Sequence, residues 1–178
     1  MTQSEIRSKI KNIRSSLTEN EVKTLSEKVT KKVLNLDFLQ EKSTFFIYNS
    51  FKNEVDTAKI QNYLKSLNKR LTYPVTAGLD MISALPTTSE VVLGDFGVSV
   101  PKDYIVINDI DVCFVPLIAC DLNKNRIGFG KGYYDRFLKN HPCIKIGLCY
   151  DFQVVDSITP NPFDVPLDII ITPTQIIK

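Results

Sequence analysis

An open, largely parallel α/β sheet with helices on both faces, the Rossmann-like three-layer class, is the fold this 178-residue sequence predicts. Three observations carry that expectation. Apolar residues alternate between helical and strand-like periods along the chain. A strand–helix–strand unit spans residues 44–75. The apolar run at 111–118 leads through a glycine-rich turn into another helix.

Ile6, Ile10, Ile13 and Leu17 recur at helical spacing, and after Thr18 the stripe restarts with Val22, Leu25, Val29, Val33 and Leu36. Two helices or one bent helix fit this pattern, and Thr18 with Glu21 has the capping-box form that opens the second. The polar side of the first carries Arg7, Lys9, Lys11 and Arg14 against Glu5 alone, and reads as a solvated basic face. Residues 44–49 (TFFIYN) are aromatic and β-branched, as a strand requires. Asp56 or Thr57 then caps a helix whose Ile60, Tyr63, Leu64 and Leu67 share one face. Short strands are expected at 71–75 and 81–85. Between 86 and 108, Gly94, Gly97 and Pro101 interrupt any period, so this stretch reads as an irregular surface excursion. A buried strand at 111–118 follows, then the turn-rich DLNKNRIGFGKG, a helix over about 133–139, and strands at 144–150 and 169–172.

Composition limits what such a fold does. The chain is 43% hydrophobic and 24% charged. A chain of this size buries about 70% of its extended surface and needs no staples, so one domain over 1–178 is expected. A net charge of +2, from 22 Lys+Arg against 20 Asp+Glu, argues against a general nucleic-acid or membrane-surface binder. The longest apolar run, 112–120, contains a proline and falls far short of the about 20 residues that span a bilayer. The first residues lack a continuous apolar core, which makes the cytoplasm the expected location. Cys113, Cys120, Cys143 and Cys149 form no CxxC pair and are expected as buried free thiols.

Ligands bind such sheets beyond the carboxyl ends of strands, which draws attention to 111–138. Arg126, Gly128, Gly130, Lys131 and Gly132 directly precede a helix. Glycines let backbone N–H groups approach an anion, the helix start adds positive potential, and Arg and Lys add charge, so the run has the makings of a polyphosphate cradle. It is neither a P-loop nor a dinucleotide fingerprint, and a glycine turn before a helix is more often geometry alone. Tyr133 and Tyr134 read either as core anchors or as rings that stack on a planar ligand. Asp135 reads as an ordinary first-turn acid or a magnesium ligand, and Asp164, within NPFDVPLD, as a structural turn residue or a second ligand returning to the same edge.

The run DVCFVPLIACDLNKNRIGFGKGYYDRF resembles the signature of the 5-formyltetrahydrofolate cyclo-ligase (methenyltetrahydrofolate synthetase) family, in which a D-x-x-x-x-P strand leads into R-[LI]-G-x-G-x-G-Y-Y-D. The resemblance extends along most of the chain. IRSKIKNIRSSLT is similar to the family's basic opening helix, YNSFKNEVDT to its first strand and acidic turn, FGVSVP to its glycine–proline loop, and IGLCYDFQVV with FDVPLDIIIT to its closing strands.

The resemblance implies an ATP- and Mg2+-dependent closure of 5-formyltetrahydrofolate to 5,10-methenyltetrahydrofolate, with release of ADP and phosphate. Carried over position by position, it implies nucleotide contacts at Gln3 and Arg7 and at Arg126, Gly128, Gly130, Lys131, Gly132, Tyr133 and Tyr134. It implies folate contacts at Asn49, Glu54 and Met81, and at Phe129, Gly130, Lys131, Gly132 and Tyr133, which both ligands share. Asp135 and Asp164 become the magnesium ligands, and Lys131 and Arg126 the catalytic cations that stabilise the transferring phosphoryl group. The implied partner is a small molecule, a reduced folate with or without a polyglutamate tail, bound by a monomer or weak dimer without nucleic acid or membrane. Two positions depart from the pattern: Gln3 stands where the family usually has Lys, and Val100 where Glu is frequent. The rival readings are a non-catalytic folate or nucleotide binder and a phosphosugar enzyme on a similar sheet.

Overall fold

Two capping boxes begin the chain. In the computed structural model, which describes residues 1–178, helix α1 (Gln3–Ser15) opens on Thr2, whose hydroxyl accepts the Glu5 N–H while the Glu5 carboxylate accepts the Thr2 N–H. Helix α2 (Glu19–Leu34) opens on Thr18 and Glu21 in the same way, so the double stripe forms two helices. A strand–helix–strand unit follows: β1 (Thr44–Phe46), α3 (Ala58–Ser66) and β2 (Arg70–Ala77). The first strand ends at Phe46, earlier than the 44–49 expected, although the Ile47 N–H still donates to the Thr72 carbonyl at 2.9 Å. No side chain of Thr57 caps α3; the Asp56 carboxylate accepts the Ala58 N–H instead.

Strand β3 (Asp80–Pro86) returns antiparallel to β2. The following excursion is more regular than the sequence indicated. Within it β4 (Val91–Leu93) and β5 (Ser99–Pro101) form a hairpin, and β6 (Tyr104–Val106) joins the edge of the main sheet. These three-residue strands lack the in–out alternation that marks a half-buried strand, since Val91 to Leu93 and Tyr104 to Val106 are exposed throughout. Then come β7 (Val112–Pro116), the hairpin of β8 (Ala119–Cys120) and β9 (Arg126–Ile127), helix α4 (Tyr133–Asn140), and strands β10 (Ile144–Leu148), β11 (Ile169–Ile171) and β12 (Ile176–Ile177).

The main sheet has eight strands in the order β12-β11-β10-β7-β1-β2-β3-β6. Its centre is parallel, and β3, β6 and β12 add antiparallel edges. From β1 the chain crosses to β2 on one side, and from β7 it proceeds to β10 and β11 on the other, which makes the β1/β7 boundary the switch point.

Alternation along the strands divides the core between two faces. Phe45, Phe114 and Ile146 pack with Val29 and Val33 of α2 and Ile60 and Leu64 of α3. Phe46, Cys113 and Val115 point the other way and pack with Phe137 and Leu138 of α4. Helix α1 lies beside the sheet, where Ile6 and Ile10 meet Ile118, Ala119, Ile127 and Ile158. All four cysteines are free; three are buried, whereas Cys143 is partly exposed. No helix is long and apolar enough to cross a membrane.

Candidate active site

A cleft of about 790 Å³ opens beyond β1 and β7, lined by Tyr48 and Asn49 after β1, by Pro116, and by the loop between β9 and α4. Every residue given a nucleotide, folate or metal role from the sequence borders this one cleft, from Gln3 and Arg7 at one end of the chain to Asp164 near the other.

The glycine loop is held from several directions. Gly130 and Gly132 adopt φ of 99° and 69°, a region that suits residues without a Cβ. Gly132 is the N-cap of α4 and supplies no side-chain cap, which leaves N–H groups of the first helical turn free for an anion. Behind the loop, the fully buried Asp121 accepts the N–H groups of Asn123, Asn125 and Ile158, fixing the β8–β9 turn. From α1, Arg7 Nε donates to the Gly128 carbonyl at 2.9 Å and Nη2 to Gln3 Oε1 at 3.0 Å, while Gln3 Nε2 donates to the Thr159 carbonyl. Arg136 Nη2 donates to the Lys131 carbonyl at 3.1 Å and also reaches the Leu79 carbonyl.

The two cations named as catalytic are placed differently. Lys131 is exposed, with Nζ 4.4 Å from the centre of the Phe96 ring. Arg126 is buried: Nη2 pairs with Asp135 Oδ1 at 2.9 Å and Nη1 donates to the Val165 carbonyl at 2.7 Å. Two of its N–H groups are thus engaged by protein groups, and it borders the cleft as a buried, paired cation whereas Lys131 is a free one.

Asp135 and Asp164 each have one oxygen anchored and one unclaimed. Asp135 Oδ1 receives Arg126 and the Val165 N–H, and Asp164 Oδ2 receives the backbone and side-chain N–H groups of Asn161. No cluster of three or more His, Cys, Asp or Glu side chains is present. That donor set does not make a closed cage, but it fits magnesium, which is commonly held by one or two carboxylates with phosphate oxygens and water.

On the opposite side, Glu54 is 8% exposed, and its Oε2 accepts the Phe51 N–H at 2.9 Å. Burial pushes its carboxyl up to about 7, against the opposing pull of the Arg14 charge and the Phe51 N–H. Asn49 is fixed by the Ser99 carbonyl and by Gln61, which in turn receives the Tyr73 hydroxyl. The Tyr134 ring tilts against Phe46, and its buried hydroxyl has no partner, so this tyrosine belongs largely to the core. Tyr133 donates from its hydroxyl to the Gly78 carbonyl at 3.1 Å. His141 stacks on Phe137 and serves the end of α4.

Sequence reasoning missed several cleft residues. The basic side of α1 is not simply solvated: beside the expected Arg7, Lys11 and Arg14 also line the cleft, and Arg14 is 4% exposed. Their spacing of four and three residues was a visible helical stripe. Phe96 arrives on the tip of the β4–β5 hairpin and had no local signal.

A glycine-rich turn leading into a helix at the switch point of an open sheet places the chain among doubly wound α/β proteins. Its family is narrower. A sequence model described as the 5-formyltetrahydrofolate cyclo-ligase family matches residues 1–173, and the chain belongs to that family. The 5-formyltetrahydrofolate cyclo-ligase of Haemophilus influenzae is 33% identical over 175 residues, covering 92% of this chain and 93% of that protein. The NMR structure of Aquifex aeolicus 5,10-methenyltetrahydrofolate synthetase superposes with a TM-score of 0.89 at 32% identity, over 99% of this chain and 92% of that one. The 5,10-methenyltetrahydrofolate synthetase of Mycoplasma pneumoniae gives 0.79 at 29% identity, over 97% and 99%.

Proposed function

We propose that this chain catalyses the ATP-dependent conversion of 5-formyltetrahydrofolate to 5,10-methenyltetrahydrofolate, releasing ADP and phosphate. The observation that carries the reading is the shared cleft: the glycine cradle and the buried Glu54 border the same space, so a polyphosphate and a pterin meet without a second site. Residues from both ends of the chain build that cleft, which supports 1–178 acting as one cyclo-ligase domain.

The formyl oxygen is a poor leaving group until it is phosphorylated. It attacks the γ-phosphorus of ATP, and the bond to the β-phosphate oxygen breaks to release ADP. N10 then attacks the activated carbon, loses its proton, and the C–O bond breaks to expel phosphate, leaving the conjugated methenyl cation. Such a reaction asks for positioning and charge neutralisation rather than a protein nucleophile.

Lys131, Arg7 and the N–H groups opening α4 neutralise the phosphates, with Lys131 leaving the Phe96 ring to do so. Arg126 orients Asp135. Asp135 and Asp164 are the residues that would hold magnesium, and the ion would supply charge neutralisation at the phosphates. Glu54, when ionised, accepts two hydrogen bonds from the amino-pyrimidine edge of the pterin. Incubation with 5-formyltetrahydrofolate, ATP and magnesium, followed by the absorbance of the methenyl product, tests the reading. ATP-dependent product is expected; its absence from folded protein rejects the assignment.

A further inference from the structure

Outside the cleft, two cysteines that the proposed reaction does not use stand in contact. Cys120 Sγ and Cys149 Sγ are 3.7 Å apart, and both residues are fully buried. Both backbones are fixed. Cys120 pairs with Arg126 across the β8–β9 hairpin, and its carbonyl accepts the Val155 N–H at 2.7 Å. The Cys149 N–H, just after β10, donates to the Ile171 carbonyl at 3.2 Å. Gln153 ties the two segments together: its Oε1 accepts the Tyr150 N–H at 2.8 Å, and its Nε2 donates to the carbonyls of Leu117 and Ile118. The close-packed interior therefore keeps the two sulfurs together. Cys143, the one partly exposed cysteine, stands before the other end of β10.

We infer that Cys120 and Cys149 form a buried dithiol that a small peroxide oxidises to a disulfide, and that the bond lowers turnover by displacing the stem of the glycine loop. The sulfurs must approach by a further ~1.7 Å to reach the ~2.0 Å of a disulfide. On one side that motion bears on Cys120 and so on Arg126, which holds Asp135 at the start of α4. On the other it bears on Tyr150, whose hydroxyl donates to the Glu54 carbonyl at 3.0 Å. Both loops that border the cleft thus depend on the spacing of this pair, and misplacing reacting groups by about 1 Å costs up to about 100-fold in rate.

The chemistry balances with hydrogen peroxide as the oxidant. Hydrogen bonding to Cys120, and then burial, push the Cys149 thiol up, so Cys149 keeps its proton and Cys120 supplies the attacking sulfur. That sulfur takes up one hydroxyl as the O–O bond breaks, and its proton leaves with the other oxygen as water. The Cys149 sulfur then attacks the Cys120 sulfur, the S–O bond breaks, and the Cys149 proton leaves in a second water. Two electrons pass from the thiols to the peroxide. Burial makes the reaction slow and keeps it to an oxidant small enough to enter a closed core.

The test uses the variant C143S, which lacks the partly exposed thiol, and the double variants C143S/C149A and C143S/C120A. Each is treated with hydrogen peroxide, freed of it, alkylated and mapped by mass spectrometry, and methenyl formation is measured before and after dithiothreitol. C143S should form the Cys120–Cys149 bridge, lose turnover roughly tenfold and regain it with dithiothreitol, which does not reverse methionine oxidation. Neither double variant should bridge or show the reversible loss, and one of them suffices if the other does not fold. Thiols at 120 and 149 that stay open to alkylation after peroxide overturn the inference. So does a bridged C143S that turns over at its reduced rate, or a reversible loss that the double variants share. The mapped bridge needs no turnover, so it decides the oxidation site separately from the assignment of the reaction.

Discussion

Between β9 and α4 the chain offers an anion its backbone, and the positive φ angles there fall on Gly130 and Gly132; between β1 and α3 it buries a carboxylate, and the positive φ angles fall on Lys52 and Asn53. Both loops border the same cleft. Where a ligand must approach N–H groups, a Cβ is an obstacle and glycine is the economical residue. Where the loop must instead be clamped in place, a side chain is needed, and Asn53 combines tolerance of the left-handed region with an amide that reaches two carbonyls of α1. The first loop thus turns backbone N–H groups toward the cleft, and the second holds a buried carboxylate at its edge.

The largest test of this contrast lies on the cradle side. Lys131→Ala should lower turnover roughly 100-fold or more, as removal of a group stabilising transition-state charge does. Because Lys131 is exposed, unfolding by denaturant should shift by no more than about 0.5 kcal/mol. Unchanged turnover would remove this lysine from the mechanism.

Glu54→Gln should instead raise the KM for folate roughly tenfold to 100-fold, the cost of losing hydrogen bonds to a charged acceptor. It should also alter the pH dependence. The folded carboxyl titrates near about 7 against its usual 4.5, so the folded chain holds the extra proton between those values. Stability therefore falls as pH rises from about 4.5 to about 7, by on the order of 3 kcal/mol. Folate affinity should rise over the upper part of the same range as Glu54 ionises. The glutamine variant should flatten both profiles, which denaturant unfolding and KM measurements at pH 5 and about pH 8 will show. A slope that survives the substitution assigns it to another group.

Gly132→Ala carries a smaller expected effect. An alanine there is held at φ of 69°, and its Cβ would lie 2.8 Å from Arg136 Nη1, displacing a flexible guanidinium from the Lys131 carbonyl. The strain is about 1–2 kcal/mol, so ATP affinity should fall by roughly tenfold and folate affinity by less. Isothermal titration with each ligand separates the two. The smallest effect is expected from Gln3→Lys, which adds a cation beside Arg7 at the cost of the acceptor for its Nη2. The KM for ATP should drop by roughly twofold to fivefold; an increase would show that the Gln3–Arg7 hydrogen bond matters more than the charge.

The same contrast explains what could be read from the sequence. The cradle was legible because its chemistry is local: glycines, two cations and a helix start stand within one short run from Arg126 to Asp135. Thr18 with Glu21 was legible for the same reason, and Thr2 with Glu5 obeys the identical rule at the first helix. Glu54 was placed through family resemblance alone, because its neighbours, Arg14 of α1 and Tyr150 after β10, lie far from it along the chain. Arg126 was legible as a cation but not as one already paired, since Val165 lies far along the chain. Strands β4, β5 and β6 were hidden because three residues are too few to display a period, and those of β4 and β6 are all exposed.

The central claim is that one cleft couples phosphoryl transfer to ring closure. Phosphate release and methenyl absorbance, followed together in a single reaction containing 5-formyltetrahydrofolate, ATP and magnesium, test it most directly. Equal amounts of phosphate and methenyl product at all times, with no phosphate formed when the folate is omitted, are predicted. Phosphate released without ring closure, or product formed without ATP, would contradict it.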